Sequence, residues 1–300
     1  MIYDCLIIGG GIAGLQSSIQ LGRYDHNVLV IDSGDGRSNL CKGYNNILGW
    51  PDRISGPKLR EIGKKQAENF GVHFADDKIE KAELIEGNFV LTGKDGRKYT
   101  GKRLLITTGV KDRIPNFPPL FPCLGVSVFV CPDCDGYEVK NRRTIVLGSG
   151  NTGANMAMTL KYWTKEIIYI NHEQAEVDEE ILEKLKAKNI EYMSVPIKEV
   201  MADGENFLGV VLADGNNVMS SRAFLAFGGN EVRSDLARQL GVEVLENNHI
   251  LVNPRTKMTN IQNVWAAGDV VAHSELVTLA MGEGSQAAIW IHKSLLKTTH

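Results

Sequence analysis

The residues best suited to chemistry are two cysteines set two positions apart, in the run Cys131-Pro132-Asp133-Cys134-Asp135-Gly136. At that spacing two thiols can close a small disulfide ring, and if the segment turns helically its backbone N–H groups stabilise a thiolate. Asp135 adjoins the second sulfur and can carry a proton as the thiol forms or breaks. Half a zinc site is a competing reading. The chain has no second Cys-x-x-Cys and no nearby histidine to supply a third ligand, so no metal is expected. A pair of buried structural thiols stays open as an alternative. Of the other cysteines, Cys5 falls in a strand-like stretch and reads as core, while Cys41 and Cys123 have no evident partner.

The second chemistry-bearing pattern is glycine in phosphate-binding spacing. Gly9-Gly10-Gly11-Ile12-Ala13-Gly14 follows a strand-like run and opens a helical stretch to about residue 24, after which residues 27–31 read as a second strand. The pattern returns at Gly148-Ser149-Gly150-Asn151-Thr152-Gly153, between a strand at 143–147 and a helix to about residue 163, with a following strand at 166–170. One such fingerprint is weak evidence. Two in strand–glycine–helix–strand context predict two dinucleotide-binding folds. In the first, Gly9, Gly11, Ile12, Ala13 and Gly14 bring backbone N–H groups to a pyrophosphate, and Asp32 stands where an acid accepts the adenosine ribose hydroxyls. Gly109 ends a downstream apolar strand. Gly268, Asp269 and Val270 form a later Gly-Asp loop whose carboxylate can bond the ribityl-phosphate of FAD, a part that NAD lacks. In the second fingerprint Gly148, Gly150, Asn151, Thr152 and Gly153 are candidate contacts to another nucleotide, or glycines kept for strand–helix packing.

The elements that must position these groups fit an α/β chain with two Rossmann-like domains, the second inserted into the first, of the three-layer ββα type. Three hundred residues, 43% of them hydrophobic, supply two cores. Residues 1–112 and 235–300 are expected to form the FAD-binding domain, and 113–234 an inserted NAD(P)-binding-like domain that carries the Cys pair. The proline-rich stretch 115–122 and residues 229–234 are the expected crossings. Lys plus Arg, 33, nearly balances Asp plus Glu, 36, which argues against a nucleic-acid partner. The N-terminal run lacks the features of a secretory signal and no apolar stretch is long enough to span a bilayer, so a cytoplasmic location away from membranes is expected.

On these motifs the chain resembles the low-molecular-weight thioredoxin reductase family over almost its full length. The resemblance rests on Gly9 to Gly14, Gly49-Trp50-Pro51, Gln66-Ala67-Glu68, Thr108-Gly109, Cys131 to Gly136, Gly148 to Gly153 and Ala266-Ala267-Gly268-Asp269-Val270. It implies a homodimeric, FAD-dependent enzyme in which Cys134 lies against the flavin, Cys131 attacks the substrate disulfide and Asp135 acts as acid–base. It also implies thioredoxin or a thioredoxin-like protein as partner, and domain rotation that carries the cysteines between flavin and partner.

The sequence departs from that family in two places. Where the family presents His-Arg-Arg to the 2′-phosphate of NADPH, this chain has Asn171-His172-Glu173, and residues 171–183 hold six acids and no Lys or Arg. Losing two charge-assisted bonds costs roughly 3–6 kcal/mol, on the order of 10²–10⁴ in affinity. The position matching Asp32 is Asn171, so NADH gains no ribose acid either, and NAD(P)H is doubtful as a cofactor. Further on, Ser274-Glu275-Leu276-Val277 replaces the family's Arg-Gln pair near the flavin. Both changes resemble the NADPH-independent branch of the family. Three readings follow: a thioredoxin reductase fed by NAD(P)H or ferredoxin, a dithiol oxidase that passes electrons to oxygen, and a flavin-based redox sensor.

Overall fold

A computed structural model describes residues 1–272 and 274–296, so the last four residues of the 235–300 segment lie outside the described residues. The chain divides into two compact units, residues 1–39, 56–111 and 231–300 in one and 40–55 with 112–230 in the other. The sequence reading kept 40–55 with the first domain; in the structure it packs within the second unit. The strands Val110–Lys111 and Glu231–Val232 pair antiparallel inside the first unit, on either side of the inserted chain.

The first unit is built on a five-stranded parallel sheet. Cys5–Ile8 runs at its centre, flanked by Val28–Asp32 and Leu104–Ile106, with His73–Asp76 and Val264–Ala266 at the edges. Side chains alternate across a strand, and both faces are buried. Leu6, Ile8, Leu29 and Ile31 join one core with Phe89 and Leu91 of an antiparallel sheet. Cys5, Ile7, Val28 and Val30 join another with Ala13 and Leu21 of helix Ile12–Arg23 and Ala287 and Ile291 of helix Val277–Leu296. Near-continuous apolar runs are what a sheet covered on both faces requires. The two helices touch closely, because a Cβ on Gly284 would overlap the Ala13 carbonyl oxygen, and Ser17 Oγ donates to the carbonyls of both residues at 2.7 and 2.9 Å.

The second unit repeats the plan. Thr144–Gly148 lies between Ala223–Ala226 and Ile167–Asn171, with Val128–Phe129 and Glu191–Met193 outermost, all parallel. Ile145, Leu147, Ile168 and Ile170 face an antiparallel sheet of Ile197–Asp203, Asn206–Leu212 and Asn217–Met219, while Val146, Ile167 and Tyr169 face helix Gly150–Leu160. The proline-rich stretch is folded into this unit, where Pro118–Cys123 forms a 3₁₀ turn. Among the described residues no helix is long and apolar enough to cross a membrane.

Candidate functional site

Within the second unit, Pro132–Asp135 forms one helical turn with Cys131 as its N-cap. Proline at the first helical position favours this start, since its fixed φ suits the helix and its missing N–H would be unpaired there. The turn brings the two sulfurs together as a Cys131–Cys134 disulfide, with Cα atoms 5.3 Å apart. It also aims the Cys134 N–H at Cys131 Sγ, 3.2 Å away. A donor in that place stabilises negative charge on Cys131 once the disulfide is reduced. Gly136 closes the motif for a packing reason: a Cβ there would come within 2.6 Å of the Trp163 indole.

Asp135, the last residue of the turn, is partly buried. Burial pushes its carboxyl up from the usual 3.8 to about 7; a hydrogen bond from Asn45 opposes this, and Glu138 adds to it. Asn45 Nδ2 lies 3.5 Å from Asp135 Oδ1. A carboxyl that ionises near neutrality both gives and takes a proton readily. The remaining cysteines carry no such environment. Cys5 and Cys123 are buried, and burial raises their thiols; Cys41, whose Sγ donates to the Gly43 carbonyl at 3.3 Å, is pushed up to about 11. Among the described residues no cluster of three or more His, Cys, Asp or Glu side chains is arranged to hold a metal ion.

In the first unit the glycine turn Gly9 to Gly14 lies at the C-terminal end of the central strand. Gly9 has φ +104°, and a Cβ on it would overlap the Thr107 carbonyl oxygen; a Cβ on Gly14 would overlap the Gly9 carbonyl oxygen. Gly11, the N-cap of helix Ile12–Arg23, faces open space, with nothing within 4 Å of where a Cβ would stand. Asp32 accepts from Gly10 N at 3.1 Å and from Arg60 Nη2 at 2.5 Å. A carboxylate has about four lone-pair sites, so capacity remains for ribose hydroxyls. Asp32, Arg60, Lys64 and Phe74 border a cavity of about 210 Å³ that reaches Gly10. These features suit the adenosine end of a dinucleotide.

The later loop joins the same region. A Cβ on Gly268, at φ +78°, would lie 2.8 Å from that of Ala13, and Gly268 N donates to the buried Glu283 at 3.0 Å. Lys257 pairs with Glu283 at 2.6 Å, so this acid is neutralised where it is buried. Asp269 is paired with Arg37 at 3.0 Å, and Arg37 also binds Glu275. The Val270 side chain is fully buried in the core, and its carbonyl accepts from Ile250 N at 2.8 Å. Gly109 has φ +70°, and its carbonyl accepts from Arg233 N at 3.0 Å. Sequence reasoning missed Arg37, Arg60 and Glu283. An acid inside the otherwise apolar, small-residue stretch of the last helix was the one available signal.

The second glycine turn differs in detail. Gly150 has φ +51° and turns its N–H inward, onto Asn171 Oδ1 at 3.1 Å. The Glu176 carbonyl oxygen and Ala175 Cβ lie 3.1 and 3.4 Å from where a Gly150 Cβ would stand. Asn171 is fully buried, and its Nδ2 donates to the Ala175 carbonyl at 2.7 Å and to Tyr192 Oη at 3.1 Å. Asn151 Oδ1 accepts from Asp178 N at 3.0 Å. The segment 175–178 therefore lies on the turn and uses its polar groups. Gly153 is required by packing, since a Cβ would overlap the Tyr169 ring, while a Cβ on Gly148 would come within 2.6 Å of the Ala226 carbonyl oxygen. Thr152 Oγ1 would meet a Cβ on Gly228 at 2.9 Å. Glu173, which the sequence marks as repelling phosphate, is paired with Arg113.

Comparisons with known proteins agree on one family. The family model described as pyridine nucleotide-disulphide oxidoreductase matches residues 3–284. The thioredoxin reductase of Rickettsia bellii is 28% identical, over 97% of this chain and 98% of its own length. That of Escherichia coli O157:H7 is 29% identical, over 95% and 93%. Among solved structures, an oxidoreductase from Agrobacterium tumefaciens superposes with a TM-score of 0.81 at 28% identity, covering 99% of each chain.

Proposed function

The chain belongs to the pyridine nucleotide-disulphide oxidoreductase family, and from that premise we propose that it exchanges electrons between FAD and an external disulfide or dithiol through Cys131 and Cys134. It is a flavoprotein disulfide oxidoreductase of the thioredoxin reductase type. The observation that carries the proposal is the helical turn on which the disulfide, the Cys134 N–H directed at Cys131 Sγ and the near-neutral Asp135 occur together.

Gly9 to Gly14, Asp32 and Gly268 with Asp269 are the residues that would hold FAD, which when bound stores and releases two electrons. With the pair reduced, the Cys131 thiolate attacks a sulfur of the substrate disulfide, so a Cys131–substrate bond forms as the substrate S–S bond breaks. Asp135 delivers the proton to the departing sulfur. Cys134 then attacks Cys131, closes the internal disulfide and releases the substrate's second thiol. The same steps reversed oxidise a dithiol.

The second glycine turn argues against direct use of NAD(P)H, because Gly150 N and Asn171 are committed to the chain's own atoms. A reduced one-electron carrier such as ferredoxin then feeds the flavin, with thioredoxin or a thioredoxin-like protein as the disulfide substrate. We take the protein to be a cytoplasmic homodimer, as the family resemblance implies. The same observation favours a second reading, in which a dithiol reduces the flavin through Cys131–Cys134 and oxygen takes the two electrons as hydrogen peroxide. Anaerobic mixing of the FAD-loaded protein with NADPH, NADH, reduced ferredoxin or dithiothreitol decides among them. Rapid bleaching by ferredoxin or dithiothreitol and not by either nicotinamide is expected. Rapid stoichiometric bleaching by NADPH would overturn the donor assignment. Peroxide release with dithiothreitol in air would select the oxidase.

A further inference from the structure

We propose that Asn45 is a positioning residue for Asp135, its side-chain amide holding the carboxyl beside the Cys131–Cys134 turn in the orientation needed to pass a proton. This rests on the reading of Asp135 as the proton carrier of the pair. Asn45 comes from a segment ninety residues away in sequence, yet that segment belongs to the second unit, is tied to it near both ends and is closed on itself by a backbone bridge. Lys42 N donates to the Leu124 carbonyl at 2.8 Å, and Tyr44 and Ile54 exchange backbone hydrogen bonds of 2.8 and 3.2 Å. A Cβ on Gly43 would come within 2.9 Å of the Gly125 carbonyl oxygen, so the two backbones touch. Arg53 pairs with Glu205 at 3.1 Å. Such anchoring limits how far the amide can drift from the carboxyl it faces.

Among the described residues, Asn45 is the only hydrogen-bond donor to the Asp135 carboxyl. The other groups around it push the opposite way or are neutral. Glu138 from the following turn disfavours the charge, as does burial. The Cys41 thiol, on the same segment as Asn45, is raised chiefly by burial and in smaller part by Asp135, and stays protonated at neutral pH. Helix Gly150–Leu160, which packs against the turn, contains no charged residue. At 3.5 Å the contact is long, as catalytic hydrogen bonds often are before substrate is bound, and it tightens as the carboxyl gains charge. A neutral amide is the suitable donor: it favours the carboxylate enough to release a proton, whereas a cation would hold the carboxyl ionised at all working pH values.

Three variants of the full-length, FAD-loaded protein test this: Asn45→Ala, Asn45→Asp and Asn45→Gln. The readout is the titration midpoint of the Asp135 carboxyl, followed by ¹³C NMR and assigned with Asp135→Asn. Asn45→Ala should raise the midpoint by about half to one pH unit. Asn45→Asp, which adds a like charge, should raise it further, and Asn45→Gln should return it most of the way. A one-unit change alters the ionised-to-neutral ratio tenfold, so reduction of the disulfide by dithiothreitol should change about three- to tenfold on the alkaline limb. An unmoved midpoint in both Asn45→Ala and Asn45→Asp would overturn the proposal. A midpoint that moves while the rate profile does not would uphold Asn45 as the positioning residue and reject Asp135 as proton carrier.

Discussion

Replacing Asp135 with asparagine should make the protein more stable at high pH while slowing its chemistry. The native state holds this carboxyl at about 7, against 3.8 for the ordinary group. Each pH unit of difference corresponds to about 1.36 kcal/mol, which gives about 4 kcal/mol in full; partial contact with solvent reduces it to about 2–4 kcal/mol. Well below pH 3.8, at about pH 3 and lower, the carboxyl is neutral in both folded and unfolded chains, and the folded state carries no penalty. As pH rises from 4 to 7 the unfolded chain releases the proton and the folded one keeps it, so folding loses stability; above about 7 the full cost is present. Asparagine is nearly isosteric and neutral throughout. Urea unfolding of both proteins, with flavin load and disulfide held fixed, should show curves that converge at about pH 3 and separate by about 2–4 kcal/mol in favour of Asp135→Asn at about pH 8.5. A difference independent of pH, or a less stable asparagine variant at pH 8.5, would refute this account of Asp135. Stability withheld at a reacting group is a common feature of catalytic sites.

Other changes separate the roles of the remaining residues. Cys134→Ser leaves Cys131 able to attack but unable to be released, so a disulfide substrate should accumulate as a covalent adduct on Cys131, detected by mass spectrometry; Cys131→Ser should trap none. Gly14→Ala forces a methyl against the Gly9 carbonyl and should abolish retention of flavin absorbance after gel filtration, with a stability loss of about 1–3 kcal/mol. Gly153→Ala meets the Tyr169 ring and should cost a similar amount of stability while the flavin spectrum stays intact. Loss of flavin from the second variant and not the first would exchange the roles assigned to the two turns.

The parts of this protein that follow from local rules were legible in the sequence. The short, mostly apolar runs Cys5–Ile8 and Thr144–Gly148, buried at every position, the glycine spacings after them and the closely spaced Cys131 and Cys134 each reflect a short-range constraint. The differences between the two glycine turns were only half visible. Asn171 in place of an acid could be seen at its position, but its burial against Ala175 and Tyr192 depends on chain folding back from beyond it. Glu173 read as an unopposed negative charge because its partner, Arg113, lies sixty residues earlier in the chain. Asn45 illustrates the limit most clearly. Nothing local distinguishes it from Asn46, and contacts with distant chain, such as the close approach of Gly43 to Gly125 and the bond from Lys42 N to the Leu124 carbonyl, bring it to Asp135. Tertiary contacts of this kind have no period and no spacing.

Anaerobic titration of the FAD-loaded protein with dithionite tests the central claim most directly, because it counts the electrons that flavin and sulfur share. Four electrons per flavin should be taken up by the unaltered chain, two ending on the flavin and two opening Cys131–Cys134. The double variant Cys131→Ser, Cys134→Ser should take up two. Uptake of only two electrons by the unaltered chain, with the disulfide still closed, would contradict the relay.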